Sequence, residues 1–197
     1  MARMGLCVFF FLLVSSFPSS YSVVHKEQRV PALFVFGDSV VDGGNNVIFD
    51  HGASTGHLPY GVDFPTGPTG RFTNGLNPGD ILAVFLNFTH LPPAVLDPKA
   101  VGGMITIGVN YASGGSGILD YPNSKSISLK NQTKLFKNTT LPDLRKQFNE
   151  TELSTYLAKS IFAFNTGGND VHELCELNEN RRREQDERQQ VTWFSSD

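Results

Sequence analysis

Three short apolar runs, each leading into glycine, constrain this chain more than any other feature. They are Ala32–Phe36 (ALFVF), Met104–Tyr111 (MITIGVNY) and Ser160–Asn165 (SIFAFN), continuous in hydrophobicity rather than alternating. Continuous runs of β-formers suit strands buried on both faces, and such strands belong to parallel sheets covered by helices. The intervening segments offer those helices. Ile81, Leu82, Phe85 and Leu86 follow helical spacing behind Asp80, whose charge favours a helix N-terminus, and Pro92 and Pro93 forbid continuation. Leu144, Phe148, Leu153, Tyr156 and Leu157 give a second apolar face over 141–158, in one piece or two. The expected class is α/β, a parallel sheet flanked by helices, with 40% hydrophobic residues sufficing for one core. Ligands of such sheets bind beyond the carboxyl ends of the strands, where three separate segments would converge.

The chemistry starts where the first run ends. Gly37-Asp38-Ser39 follows it directly and puts a serine hydroxyl on a tight turn at that edge, beside an expected helix start. Ser39 is thus the candidate nucleophile. The neighbourhood Gly-Asp-Ser-Val-Val is not G-x-S-x-G, which argues against the nucleophile elbow of the α/β-hydrolases. Taken alone, the tripeptide is a strand-ending turn, because Gly, Asp and Ser all favour turns for backbone reasons. Residues 45–77, rich in Gly, Pro, Thr and Asn, read as a long ordered surface loop of the kind that usually carries function. Asp38 is expected to hold the turn and Asp42 to order residues 43–46, both through backbone hydrogen bonds. Arg71 is expected to pair structurally with a loop carboxylate. Neither H-E-x-x-H, nor paired C-x-x-C, nor a Walker-type phosphate loop occurs, so no metal and no cofactor are expected.

Four blocks in fixed order change the weight of that tripeptide: FVFGDSVVDGGNN (34–46), GRFTNG (70–75), GVNYASGGSGILD (108–120) and GGND (167–170). Over residues 32–171 the chain resembles the plant GDSL esterase/lipase family of SGNH hydrolases. The resemblance implies a flavodoxin-like α/β sandwich and hydrolysis of carboxylic esters through a serine acyl-enzyme, with a small-molecule or lipid ester as substrate. Carried over residue by residue, Ser39 resembles the nucleophile and its own N–H one oxyanion donor. The Gly115 N–H would be the second donor, with Gly114 as the alternative, and the Asn169 side-chain amide the third. Chemically, the tetrahedral intermediate places negative charge on the former carbonyl oxygen, and each donor lost can slow the reaction by about a hundredfold.

The family's last block, an Asp-x-x-His carrying both orienting acid and general base, does not occur in these 197 residues. The histidines are His25, His51, His57, His90 and His172, and Asp170-Val171-His172 has the wrong spacing. A serine without a base is a weak nucleophile, because its hydroxyl stays protonated at neutral pH. The expectation is therefore a shortened esterase/lipase of low activity. A non-catalytic secreted remnant that binds esters or carbohydrate is the alternative. The expected division is a signal peptide over 1–22, the N-terminal part of the hydrolase domain over 23–171, and a polar tail over 172–197. Residues 173–188 mix Glu, Arg, Gln and Asn with few apolar anchors, which suits a solvated helix or a disordered segment.

The secretory reading rests on Arg3 ahead of an apolar stretch, Gly5 to Val14, followed by small and polar residues. At about ten residues that stretch is half what a spanning helix needs, so no stable membrane anchor is expected. Four N-x-S/T sequons, at Asn87, Asn131, Asn138 and Asn149, fit secretion and place those asparagines at the surface. Cys175 alone would remain once Cys7 leaves with the signal segment. A formal net charge of −3 gives no electrostatic reason to propose nucleic acid as a partner, and the oligomeric state is not legible.

Overall fold

In the computed structural model, residues 27–49, 54–120 and 125–194 are described, with side chains described as far as 184. The proposed signal segment, His25 and His51 lie outside them.

Strand β1 (Leu33–Gly37) is buried along its whole length and pairs in parallel with β2 (Ile161–Asn165), from Leu33 opposite Ile161 to Gly37 opposite Asn165. The class is α/β, as the continuous runs indicated. The second run, Met104–Tyr111, departs from expectation. Gly102–Ile107 winds as a 3-10 helix, and only the end of the run reaches the sheet, where Asn110 forms a parallel bridge with Val35. The Val35 N–H donates to the Val109 carbonyl (3.0 Å) and the Tyr111 N–H to the Val35 carbonyl (2.7 Å). This segment therefore flanks β1 on the edge opposite β2 and makes β1 central. Glycine explains the difference. At Gly108, with φ of +104°, an added Cβ would fall 1.9 Å from the Leu33 carbonyl oxygen, so the backbone enters the sheet only there. A short continuous apolar run does not distinguish helix from strand.

Alternate residues of β1 feed two cores, one on each face of the sheet. Phe34 and Phe36 join Ile105, Val109, Tyr111, Leu144, Leu153 and Tyr156. Leu33 and Val35 join Val41, Ala83, Leu86, Phe88 and Ala112. In the first core Phe36 stacks between Tyr111 (4.6 Å between centroids) and Phe164 (4.9 Å), a geometry that contributes about 0.5–1.5 kcal/mol per pair beyond area burial.

The segment 45–77 is not loop throughout. It opens with a short helix, α1 (Asn45–Phe49), because Asp42 Oδ1 accepts the N–H groups of Gly44 and Asn45, both at 2.7 Å. Helix α2 (Pro78–Phe85) starts at Asn77 with a reciprocal capping box to Asp80. Its buried side is not the apolar stripe read from spacing. Ala83 and Leu86 face the second core, whereas Ile81, Val84 and Phe85 are exposed. Polar anchoring decides this orientation: the buried Asp80 carboxylate receives the buried Arg71 guanidinium at 2.6 and 2.8 Å, which holds that side of the helix inward. Arg71 is structural, as expected, but its partner is the helix N-terminus. Arg29 covers Phe85, its guanidinium carbon 4.7 Å from the ring centre.

The 141–158 face forms as two pieces, α4 (Leu141–Leu144) and α5 (Glu150–Lys159). They follow α3 (Leu129–Leu135) and a π-helical turn, Phe136–Thr140. Residues beyond β2 form one helix, α6 (Gly168–Phe194), whose described side chains are mostly exposed, the solvated alternative for this tail. Among the described residues, no helix is long and apolar enough to cross a membrane.

Candidate active site

Ser39 lies two residues beyond β1, partly buried, on a turn in which the Val41 N–H donates to the Asp38 carbonyl (3.2 Å). Asp38 Oδ1 accepts the Val40 N–H (3.0 Å), so this carboxylate holds the turn. The next helix start in the chain is that of α1 at Asn45, six residues beyond Ser39. Glycine is obligatory just before the turn. Gly37 has φ of +151°, and a Cβ there would sit 2.1 Å from the Asn165 carbonyl oxygen.

Both backbone polar groups of Gly37 are taken by one buried side chain. Gln132 Oε1 accepts the Gly37 N–H (2.9 Å), while Nε2 donates to the Gly37 carbonyl (2.8 Å) and to the Ile127 carbonyl (2.7 Å). The Gly37 carbonyl also accepts from Ser116 Oγ (2.8 Å) and the Ser113 N–H (3.0 Å). The end of β1 is thereby fastened to the 113–116 turn.

In that turn Gly114 is held from both sides. Its N–H donates to Asp42 Oδ2 (3.0 Å) and its carbonyl accepts from Asn46 Nδ2 (2.9 Å). A Cβ on Gly114 would meet the Phe72 ring at 2.2 Å, so a side chain does not fit at this position without displacing the ring. Gly115 follows at φ of +76°, exposed, and among the described residues its N–H has no acceptor. Asn169 Nδ2 donates to the Ser116 carbonyl (2.8 Å), leaving its second amide hydrogen uncommitted among the described residues. The serine turn, the glycine turn and Asn169 thus form one hydrogen-bonded cluster, linked from Gly37 through Ser116.

Asp42 is fully buried, and burial pushes its carboxyl above the usual carboxylate range against the pull of N–H donors from Gly44, Gly114, Asn45 and Asn46. The described histidines, His57, His90 and His172, do not join this cluster. His172 Nε2 lies 3.3 Å from Glu176 one turn along α6, with an exposed side chain. His90 is exposed beside Thr89 (3.0 Å), and His57 is exposed. Among the described residues no histidine hydrogen-bonds to Ser39.

Several residues of the cluster escape a reading of the sequence. Asn45, fully buried, donates to the carbonyls of Asn110 and Ala112 (2.9 Å each), and Asn110 Nδ2 donates to the Val41 carbonyl (2.7 Å). Ser113 Oγ donates to Asn46 (2.5 Å) and accepts the Ile127 N–H (2.9 Å). The available signal was Asn110 inside an apolar run, because a buried amide requires partners. Gln132 gave none, lying in the polar stretch Asn131-Gln132-Thr133.

Residues 33–192 match the profile of the family described as GDSL-like Lipase/Acylhydrolase. Relatives in Arabidopsis thaliana include one GDSL esterase/lipase 43% identical over 162 residues, which covers 81% of this chain and 43% of the relative. A second is 41% identical over 147 residues, covering 73% of this chain and 39% of the relative. GDSL esterase/lipase 7 is 43% identical over 148 residues, covering 73% and 40%. The chain spans less than half the length of these curated relatives. No solved structure matches it.

Proposed function

Because this chain belongs to the GDSL-like lipase/acylhydrolase family, we propose that its chemistry is hydrolysis of carboxylic esters at Ser39. The observation that carries the reading is the single hydrogen-bonded cluster that joins the Ser39 turn, the Gly115 turn and Asn169. Ser39 Oγ attacks the ester carbonyl carbon, and the carbonyl π pair moves to oxygen. The N–H groups of Ser39 and Gly115 and the Asn169 amide receive that charge. Collapse expels the alcohol, which needs a proton, and water then releases the acid from the acyl-serine by the same steps. Gly115 rather than Gly114 is the second donor in this reading, since the Gly114 N–H is committed to Asp42.

The proton transfers are the weak step. No Asp-x-x-His occurs in the 197 residues, and the His172 side chain is exposed and paired with Glu176. By itself the chain is therefore proposed to polarise an ester carbonyl but to turn it over at or barely above background, which also favours the second reading, an ester-binding protein without turnover. The domain division is proposed as 1–22, 23–171 and 172–197, with export through the secretory pathway. The test combines a fluorophosphonate probe with a chromogenic short-acyl ester. Slow labelling confined to Ser39, lost in Ser39→Ala, supports the assignment. Labelling that survives Ser39→Ala overturns it, and brisk turnover lost in His172→Ala would make His172 the base.

A further inference from the structure

The buried carboxylate of Asp42 also touches the oxyanion turn. Asp42 Oδ1 is occupied by the N–H groups of Gly44 and Asn45, which fix it in the loop after Ser39. Its Oδ2 reaches across 72 residues of sequence to the N–H of Gly114, and Asn46, four residues on, takes the carbonyl of the same glycine. The two backbone groups that flank Gly114 are thus bound by side chains of the segment that carries the nucleophile. Gly115 is the next residue, at a left-handed φ, and among the described residues its N–H has no acceptor.

We propose that Asp42 is a positioning residue for the oxyanion site: by taking the Gly114 N–H, its carboxylate selects Gly115 as the free donor and sets that donor's place relative to Ser39. The proposal rests on the assignment of Ser39 and Gly115 made above and adds what orients them. A peptide plane can offer its N–H to only one acceptor direction. If Gly114 were released, the turn could rotate either glycine N–H toward the site, and the charge on a tetrahedral adduct would meet a donor that must first reorganise. Asparagine is isosteric at position 42 but has one acceptor oxygen. It cannot serve Gly44, Asn45 and Gly114 together, and its amide hydrogens face at least one of those N–H groups.

The test uses the 197-residue chain, labelled with nitrogen-15, and propylboronic acid. Ser39 Oγ forms the oxygen–boron bond with its lone pair, the hydroxyl proton passes to solvent, and boron keeps both hydroxyls as an anionic tetrahedral centre. In the wild type the Gly115 amide resonance should move on binding while that of Gly114 stays. In Asp42→Asn the boronate should bind about tenfold more weakly, with the Gly115 response spread over both glycines. A purely structural role would lower melting temperature and leave the Gly115 response intact in the folded fraction. That result overturns the proposal alone. A wild type unresponsive at both Ser39 and Gly115 overturns the site assignment and the proposal with it. Should Asp42→Asn not fold, hydrogen exchange of the wild type decides: Gly114 should be strongly protected and Gly115 exchange freely, and equal rates overturn the proposal.

Discussion

At Gln132 one side chain takes over the backbone pairing that a strand would otherwise supply to Gly37. Its amide is fully buried and engages the Gly37 N–H and carbonyl together with the Ile127 carbonyl. Gln132→Leu keeps the volume and strands the Gly37 N–H and the Ile127 carbonyl away from water, at about 1–3 kcal/mol for each left unsatisfied, while the Gly37 carbonyl keeps Ser116 Oγ and the Ser113 N–H. Urea denaturation should show a loss of about 2–4 kcal/mol, with slower fluorophosphonate labelling of Ser39 in the folded protein; a loss within experimental error would show that Gly37 finds other partners. Asp42 makes a prediction in pH. Its carboxyl is raised in the folded state by burial, from an unperturbed value of 3.8, so folding favours the protonated form. Its contribution to stability is fully present below 3.8 and is lost as pH rises through the folded value. Melting temperature of the wild type relative to Asp42→Asn should therefore decline over that window and level off above it; a relative stability that rises there would reverse the assigned sign. The sequence made Asp38 and Asp42 legible as loop-holding carboxylates because Asx residues beside glycine bond locally. The reach of Asp42 to Gly114 was not legible, because it depends on two segments meeting in space.

The elements divide according to whether local chemistry decides them. Helix α5 was legible because Leu153 and Tyr156 sit on one face behind an Asn149–Glu152 capping box, and burial follows that face. Helix α2 was half legible: its start was marked by Asp80, but its orientation follows the Arg71–Asp80 pair, a contact that apolar spacing does not encode. The run 104–111 misled for a different reason, since glycines at 102, 103 and 108 permit a 3-10 turn that hydrophobicity alone does not reveal. Strand β2 carries the element-scale prediction. Among the described residues only β1 pairs with it, and Phe164 is 57% exposed although it stacks on Phe36. An open strand edge beside an exposed aromatic invites pairing between chains. The 197-residue chain should elute from size exclusion as concentration-dependent oligomers, and Phe164→Lys should shift it toward the monomer. A wild-type monomer at all concentrations would show that the edge is already protected.

For the whole molecule, secretion and modification make the remaining prediction. Asn138 and Asn149 are exposed, and Asn149 caps α5 through its oxygen, which leaves the amide nitrogen available among the described residues. Asn87 and Asn131 are partly buried, with amide nitrogens donating to the Glu27 carbonyl (3.2 Å) and to Asp120 (2.6 Å). In plant cells glycans should therefore occupy Asn138 and Asn149 ahead of the other two, as read by mass spectrometry after glycosidase treatment; an unglycosylated chain with its N-terminus intact would count against export. The central place of β1 has a consequence in time. Both its edges wait for partners made later, the segment at Val109 first and then β2, about 130 residues after β1 itself. At about 5–20 residues per second of synthesis, β1, the more apolar of the two described strands, spends roughly 6–25 seconds unpaired on its second edge. During that interval it is a natural target for chaperones, so the fate of each nascent chain is settled by how long β1 can be kept soluble before Ile161–Asn165 emerges.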